Sequence, residues 1–147
     1  MTVNELARAA GVPAGRVRYY ARCGLLPAGR DPDNAYRRFA PQALARLRFI
    51  VAARALGFAL ADVARLLGEA DADRSPCPGV RQLLERRLAD IAARRRALAR
   101  EQARLQALRR RWRVEPDGRP DQRRLCPLLD SVPAEVLAAA GDDRAAG

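Results

Sequence analysis

Residues 11–26 read GVPAGRVRYYARCGLL, and this stretch decides the architecture. Gly11 stops the helix before it, because glycine enters the left-handed conformation that ends helices at little cost. Pro13 fits the first turn of a new helix, where its missing N–H is not needed. That helix runs to about Cys23, and Gly24 closes it. Upstream, Thr2-Val3-Asn4-Glu5 is a capping box, with Thr2 as N-cap and Glu5 reaching back to it. It opens a short helix through Ala10, with Leu6, Ala9 and Ala10 on the apolar side. Two short helices joined by a glycine-containing turn make a helix-turn-helix. Arg16, Arg18, Tyr19 and Arg22 fall on or near the exposed side of the second helix. Leu6, Val17, Leu25 and Phe39 are expected in the core.

Beyond Leu25-Leu26-Pro27, the polar stretch from Ala28 to Ala35 holds Gly29, Pro32, Asp33 and Asn34, all turn residues. Tyr36-Arg37-Arg38-Phe39 alternates and predicts a short strand, so this region reads as a wing behind the recognition helix. Pro41 opens a helix to about Leu56, which Gly57 breaks. Phe58 to Leu67 predicts another, with Leu60, Val63, Ala64 and Leu67 on one face. Asp71 to Pro78 is a polar linker. From near Pro78 to about Arg113 nothing interrupts a helix, and Leu84, Leu88, Ile91, Arg95, Leu98, Gln102, Leu105 and Trp112 follow a near-heptad spacing. So small a chain has no core of its own to cover such a stripe, which therefore calls for a partner helix and a homodimer. The competing reading is a helix folded back on its own domain. Val114 to Leu125 is a loop, and Cys126-Pro127-Leu128-Leu129 leads into a short amphipathic segment.

The predicted fold class is therefore mainly α: an N-terminal winged helix-turn-helix, a long antiparallel dimerisation helix, and a short C-terminal loop and helix segment. The predicted divisions are 1–70 for the DNA-binding domain with its connecting helices, 71–78 for the linker and 79–113 for the dimerisation helix. Residues 114–140 form the sensing loop and short helix, and 141–147 a frayed tail.

The chain has 147 residues, a formal net charge of +11 and no histidine, and every basic residue is arginine. Arginine suits planar recognition of phosphates and guanine edges. The abundance of alanine offers a blander source for the arginine bias, a skewed nucleotide composition. The charge is harder to dismiss, since a dimer doubles it and binds a polyanion through counterion release. No apolar run reaches the roughly 20 residues a membrane span needs, and no signal peptide opens the chain. The expectation is a cytoplasmic protein with no membrane partner. With no serine–histidine pair, glycine-rich phosphate loop or histidine base, the sequence reads as a non-enzyme.

In combination, these segments resemble the MerR family of transcription regulators. GVPAGRVRYYARCGLL is similar to its recognition segment, Tyr36-Arg37-Arg38-Phe39 to its wing signature, and Arg54-Ala55-Leu56-Gly57-Phe58-Ala59-Leu60 to the hinge after its third helix. The long helix and the terminal Cys126-Pro127-Leu128 complete the pattern over roughly residues 2 to 130. The resemblance implies a dimer on double-stranded promoter DNA, acting with RNA polymerase. Inducer binding then bends and untwists an overlong promoter spacer, a form of indirect readout. It puts DNA contacts at Arg18 and Tyr19 and in the wing at Tyr36, Arg37 and Arg38. Arg16 and Arg22 join them as candidates, with a solvated surface charge the alternative for Arg22.

The terminal cysteine resembles the metal-responsive branch, which implies resistance to mercury, zinc, cadmium, lead or copper and makes the C-terminal loop a metal loop. Cysteines stand at 23, 77 and 126, without CxxC pairing. Family members of the mercury and cadmium type place a cysteine at the end of the long helix, and here that position falls on Trp112. A helix from Pro78 to Arg113 is about 54 Å long. The loop after it, even near full stretch at roughly 3.3 Å per residue, falls short of returning Cys126 to Cys77 in the same chain. Antiparallel pairing brings Cys77 of one subunit near Cys126 of the other. The helix dipole at Cys77 favours thiolate. Two sulfurs suit a near-linear soft ion such as Hg(II), the first choice, or Cu(I). Glu115, Asp117 or Asp121 could complete a three-coordinate site, which leaves Cd(II), Pb(II) and Zn(II) open. Cys23 reads as a small packing residue. Two other readings stand: a regulator whose thiols are modified by electrophiles or oxidants, and a helical adaptor that recruits a protein.

Overall fold

The computed structural model describes residues 1–33 and 36–143. Asn34 and Ala35, from the turn-rich stretch, and residues 144–147, from the expected tail, lie outside the described residues. The element order is α1 (Val3–Ala10), α2 (Ala14–Arg22), β1 (Gly29–Arg30), β2 (Arg37–Arg38), α3 (Ala43–Ala55), α4 (Leu60–Asp71), α5 (Cys77–Trp112), α6 (Pro127–Asp130) and α7 (Ala134–Asp143). No helix among the described residues is long and apolar enough to cross a membrane. The chain divides into two compact units, residues 1–90 and 91–147.

The first unit is built on the helix-turn-helix. Both bonds of the capping box are present: the Thr2 hydroxyl accepts from the Glu5 N–H at 3.2 Å, and the Thr2 N–H donates to the Glu5 carboxylate at 2.7 Å. Gly11 ends α1 in the left-handed region, at φ 70°. Leu6, Val17, Leu25 and Phe39 are all buried, together with Tyr20, Leu26, Leu47, Ile50, Phe58, Val63 and Leu66. Helix α3 supplies the centre of this core through Leu47 and Ile50, neither of which exposes any surface.

Several boundaries differ from the sequence reading. The strand expected over Tyr36 to Phe39 shrinks to Arg37–Arg38, paired antiparallel with Gly29–Arg30 in the register Gly29 to Arg38 and Arg30 to Arg37. Phe39 leaves the wing because its backbone is taken by the chain start. Its N–H donates to the Met1 carbonyl at 2.8 Å, and the Met1 ammonium donates to its carbonyl at 2.7 Å. Helix α4 continues to Asp71 rather than ending near Leu67, and α5 starts at Cys77, so the linker is residues 72–76. Asp71 is held by Arg46, whose guanidinium donates to both carboxylate oxygens, at 2.6 and 3.2 Å, and to the Leu25 carbonyl at 2.5 Å. One side chain of α3 thereby ties the end of α4 to the segment following the recognition helix.

The first two turns of α5 belong to this core: Leu83 is buried and Val80 packs against it. The next face of the same helix is bare, with Leu84 and Leu88 both exposed. Gly57 has φ +88°, a left-handed conformation that favours glycine, and the Arg87 guanidinium packs over its open side.

The second unit holds the rest of α5, the loop, α6 and α7. Ile91, Leu98 and Leu105 are exposed, continuing the predicted stripe, whereas Leu108 is buried. Helix α7 reaches Asp143, past the point at Gly141 where the tail was expected to begin.

Candidate nucleic-acid interface and thiol sites

Helix α2 turns Val17 and Tyr20 inward and leaves Arg16, Arg18, Tyr19 and Arg22 in solvent. An apolar pair three residues apart sets one buried stripe, and the residues between necessarily face out. The wing is then fastened to this helix. The Arg37 guanidinium donates to the Arg18 carbonyl at 3.3 Å, and the Asp31 N–H donates to the Tyr36 carbonyl at 2.8 Å. The Arg38 guanidinium meets the Asp31 carboxylate at 3.2 Å. A hydrogen bond from the Asp33 N–H, then Arg38, holds the Asp31 carboxyl below its ordinary value.

The result is a groove of 370 Å³ lined by Thr2, Asn4, Arg18, Tyr36, Arg37 and Arg38, among others. Four of the seven predicted DNA-contact residues meet there. Arg16, Tyr19 and Arg22 lie outside it, on the exposed side of α2. Asp31 lines it too and pairs with Arg38; arginines of a helix and an adjacent ribbon that line one concave surface can donate to phosphate oxygens and base edges.

Cys23 departs from the expectation of a packing residue. It is exposed, because it is the C-cap of α2 and sits one turn beyond the exposed Tyr19. A hydrogen bond with the Cys23 side chain, then that group's charge, pushes the Tyr19 phenol above its ordinary value, while Arg54 pulls it down. Arg54 also donates to the Phe58 carbonyl at 2.9 Å. Its closeness to the recognition helix was not legible in sequence, where it read only as part of the hinge motif.

Cys77 is the first residue of α5 and is exposed; its N–H donates to the Ser75 hydroxyl at 3.2 Å. Cys126 is half-buried and caps α6 from an extended backbone, with Pro127 opening the helix. Asp121 is engaged in its own turn, accepting from the N–H groups of Arg123 and Arg124 at 2.7 and 2.8 Å, which keep its carboxyl below the ordinary range. Among the described residues no three histidine, cysteine or acidic side chains come together as a metal cluster within one chain. Cys77 belongs to the first unit and Cys126 to the second.

Residues 1–70 match the family of MerR HTH regulatory proteins, and residues 44–108 match the MerR DNA-binding region. A mercuric resistance operon regulatory protein of Bacillus cereus is 30% identical over 130 residues, covering 88% of this chain and 95% of that protein. A transcription regulator of Ralstonia metallidurans, solved in complex with lead(II), is 27% identical, covers 90% of this chain and 99% of its own, and superposes with a TM-score of 0.67. A regulator of Bacillus megaterium, solved with mercury(II), is 29% identical, covers 89% of this chain and 98% of its own, with a TM-score of 0.55.

Proposed function

The chain belongs to the MerR family of helix-turn-helix regulatory proteins, and from that premise we propose that it is a homodimeric, metal-responsive activator of transcription and not an enzyme. The observation that carries the DNA-binding reading is the convergence of Arg18, Tyr36, Arg37 and Arg38 on one groove, in a chain of net charge +11. Double-stranded promoter DNA lies along this face, with Arg16, Tyr19 and Arg22 flanking it. RNA polymerase is the second partner, and the dimer acts by distorting the promoter between its recognition elements. The cytoplasm is where such a protein meets its DNA.

The dimer reading rests on α5. Its buried Leu83 and half-buried Val80 serve the chain's own core, while Leu84, Leu88, Ile91, Leu98 and Leu105 form an exposed stripe that only another helix would cover. Antiparallel pairing sets the Cys77 end of one helix beside the far end of its partner.

The inducer is a soft metal ion shared by Cys77 of one subunit and Cys126 of the other. The relatives named for mercuric resistance and the structure holding mercury(II) support Hg(II) as first choice. A lead-bound relative keeps Pb(II) in view, and Cu(I), Cd(II) and Zn(II) complete the panel. When bound, the ion would bridge two thiolates and favour one dimer geometry over another, and a ligand switches a protein only through such a difference.

The test mixes Cys77→Ser and Cys126→Ser chains. Each homodimer should lose metal binding. The heterodimer keeps one intact crossed site, so about half the wild-type metal stoichiometry should return, and operator response to metal with it. If neither variant loses metal, or the heterodimer recovers none, the crossed site is wrong. Mass spectrometry on the same samples then reads covalent thiol adducts, the signature of an electrophile or redox sensor.

A further inference from the structure

Within the first unit, a run of hydrogen bonds that neither the groove nor the thiols use joins the recognition helix to the start of α5. Gly24, with φ +78°, closes α2, and the Leu25 N–H returns to the Tyr20 carbonyl at 3.0 Å, so Leu25 is bonded into the last turn of that helix. The Leu25 carbonyl in turn accepts from the Arg46 Nε, and the two terminal nitrogens of the same guanidinium hold both oxygens of Asp71, the last residue of α4. Beyond Asp71 the linker is wound back on α4. The N–H groups of Ala72, Asp73 and Arg74 donate to the carbonyls of Gly68, Ala70 and Glu69 at 3.1, 3.0 and 2.8 Å, and the Arg74 guanidinium meets the Glu69 carboxylate at 2.6 Å. Asp73 takes φ 58°, a left-handed conformation that aspartate tolerates better than most residues. The Cys77 N–H then bonds α5 to Ser75 of this linker. Every link lies in one chain and in the first unit, so none depends on a face being left uncovered.

The stability of the unit does not call for the Arg46 link. Helix α4 is already fixed by the buried Val63, Leu66 and Leu67, and an ion pair to the exposed Asp71 adds little to folding. What the link adds is geometry. A guanidinium is a rigid plane whose donors point in fixed directions, so three bonds to two segments distant in sequence set their mutual position, as an ammonium on a flexible stem would not. We propose that Arg46 is a positioning residue for DNA recognition: it makes the end of α2 and the α4–α5 linker shift together, so that DNA held by the recognition helix is felt at the linker. This rests on the DNA-binding reading and not on the metal or the thiols. Coupling between two sites is reciprocal, so an event at the start of α5 bears on DNA affinity through the same three bonds.

The test is amide hydrogen exchange on the full-length protein, free and saturated with a duplex that the wild type selects from a random-sequence pool. In the wild type, DNA should slow exchange at α2 and the wing. It should also slow exchange at Ala72, Asp73 and Arg74 by about fivefold or more, the lower end of ordinary coupling between sites. Arg46→Lys keeps the charge and loses the planar fork, and Asp71→Ala removes the far partner at an exposed position. In each variant the slowing by DNA should persist at α2 and the wing and vanish at the linker, with the unfolding temperature close to wild type. The double variant should behave as either single does, since both cut one link. A purely structural Arg46 would instead speed linker exchange equally with and without DNA and leave the DNA-induced ratio intact, and that result overturns the proposal. So does a wild-type linker whose exchange ignores saturating DNA while α2 and the wing are protected. Absence of protection at α2 and the wing themselves would overturn the DNA-binding reading, and this inference with it.

Discussion

Arg18→Ala and Arg37→Ala are each expected to weaken operator binding by a factor of about five to 150, the 1–3 kcal/mol carried by a good base or phosphate contact. Arg18 leaves the recognition helix on its exposed side, and truncating it removes no buried contact. Arg37 does two things at once. It lines the groove, and it donates to the Arg18 carbonyl, holding the wing to the helix. The bond from Arg37 is to the Arg18 backbone carbonyl, which Arg18→Ala keeps, so the coupling runs one way: without Arg37 the wing loosens and Arg18 has less to lose, and the two losses should fall short of additive in the double variant. Gel shift on the operator fragment at one fixed salt measures the affinities. Titrating the salt separates the roles, since loss of a phosphate contact lowers the salt slope by about one. Unchanged affinity in both single variants removes the groove from the DNA interface.

The second large effect is on stability. Leu47→Ala should destabilise the DNA-binding unit by about 2–5 kcal/mol, the range for deleting a buried leucine and leaving a cavity. Leu47 exposes no surface and lies at the centre of α3, in the core that also holds Leu6, Val17 and Val63. Leu84→Ala, one residue beyond the buried Leu83, removes an exposed side chain. It should leave the unit's unfolding close to wild type and weaken self-association instead. Denaturant unfolding at two protein concentrations distinguishes them: the Leu47→Ala loss persists at both, and the Leu84→Ala effect depends on concentration. Equal losses in the two variants would show that the helix does not divide its faces in this way.

Much of this molecule was legible because its punctuation is local. A capping box, a proline in a first turn and a glycine at a helix stop act within a few residues, so Thr2, Pro13, Gly11 and Gly57 marked helix boundaries to within a few positions. The inward and outward sides of α2 follow from helical period alone, which is why the exposed arginines and the buried Val17 could be told apart beforehand. The near-heptad stripe of α5 was equally plain, since it depends only on spacing.

What remained hidden depends on partners distant in sequence. Nothing near Phe39 shows that Met1 will take its hydrogen bonds and shorten the wing strand. Nothing near Arg46 shows that it will reach Leu25 and Asp71 and so prolong α4. Cys23 read as packing because a small thiol at a helix end so often is; only the placement of its turn leaves it in solvent beside Tyr19. The sequence by itself determined the family, the helix order, the basic exposed face of α2 and the places of the three cysteines along the chain. The tertiary structure decided which arginines share a groove and which face of α5 its own domain consumes. The division has one physical cause: caps, stops and periodicity are energies of neighbouring residues, whereas grooves and long-range hydrogen bonds exist only once the chain has folded back on itself.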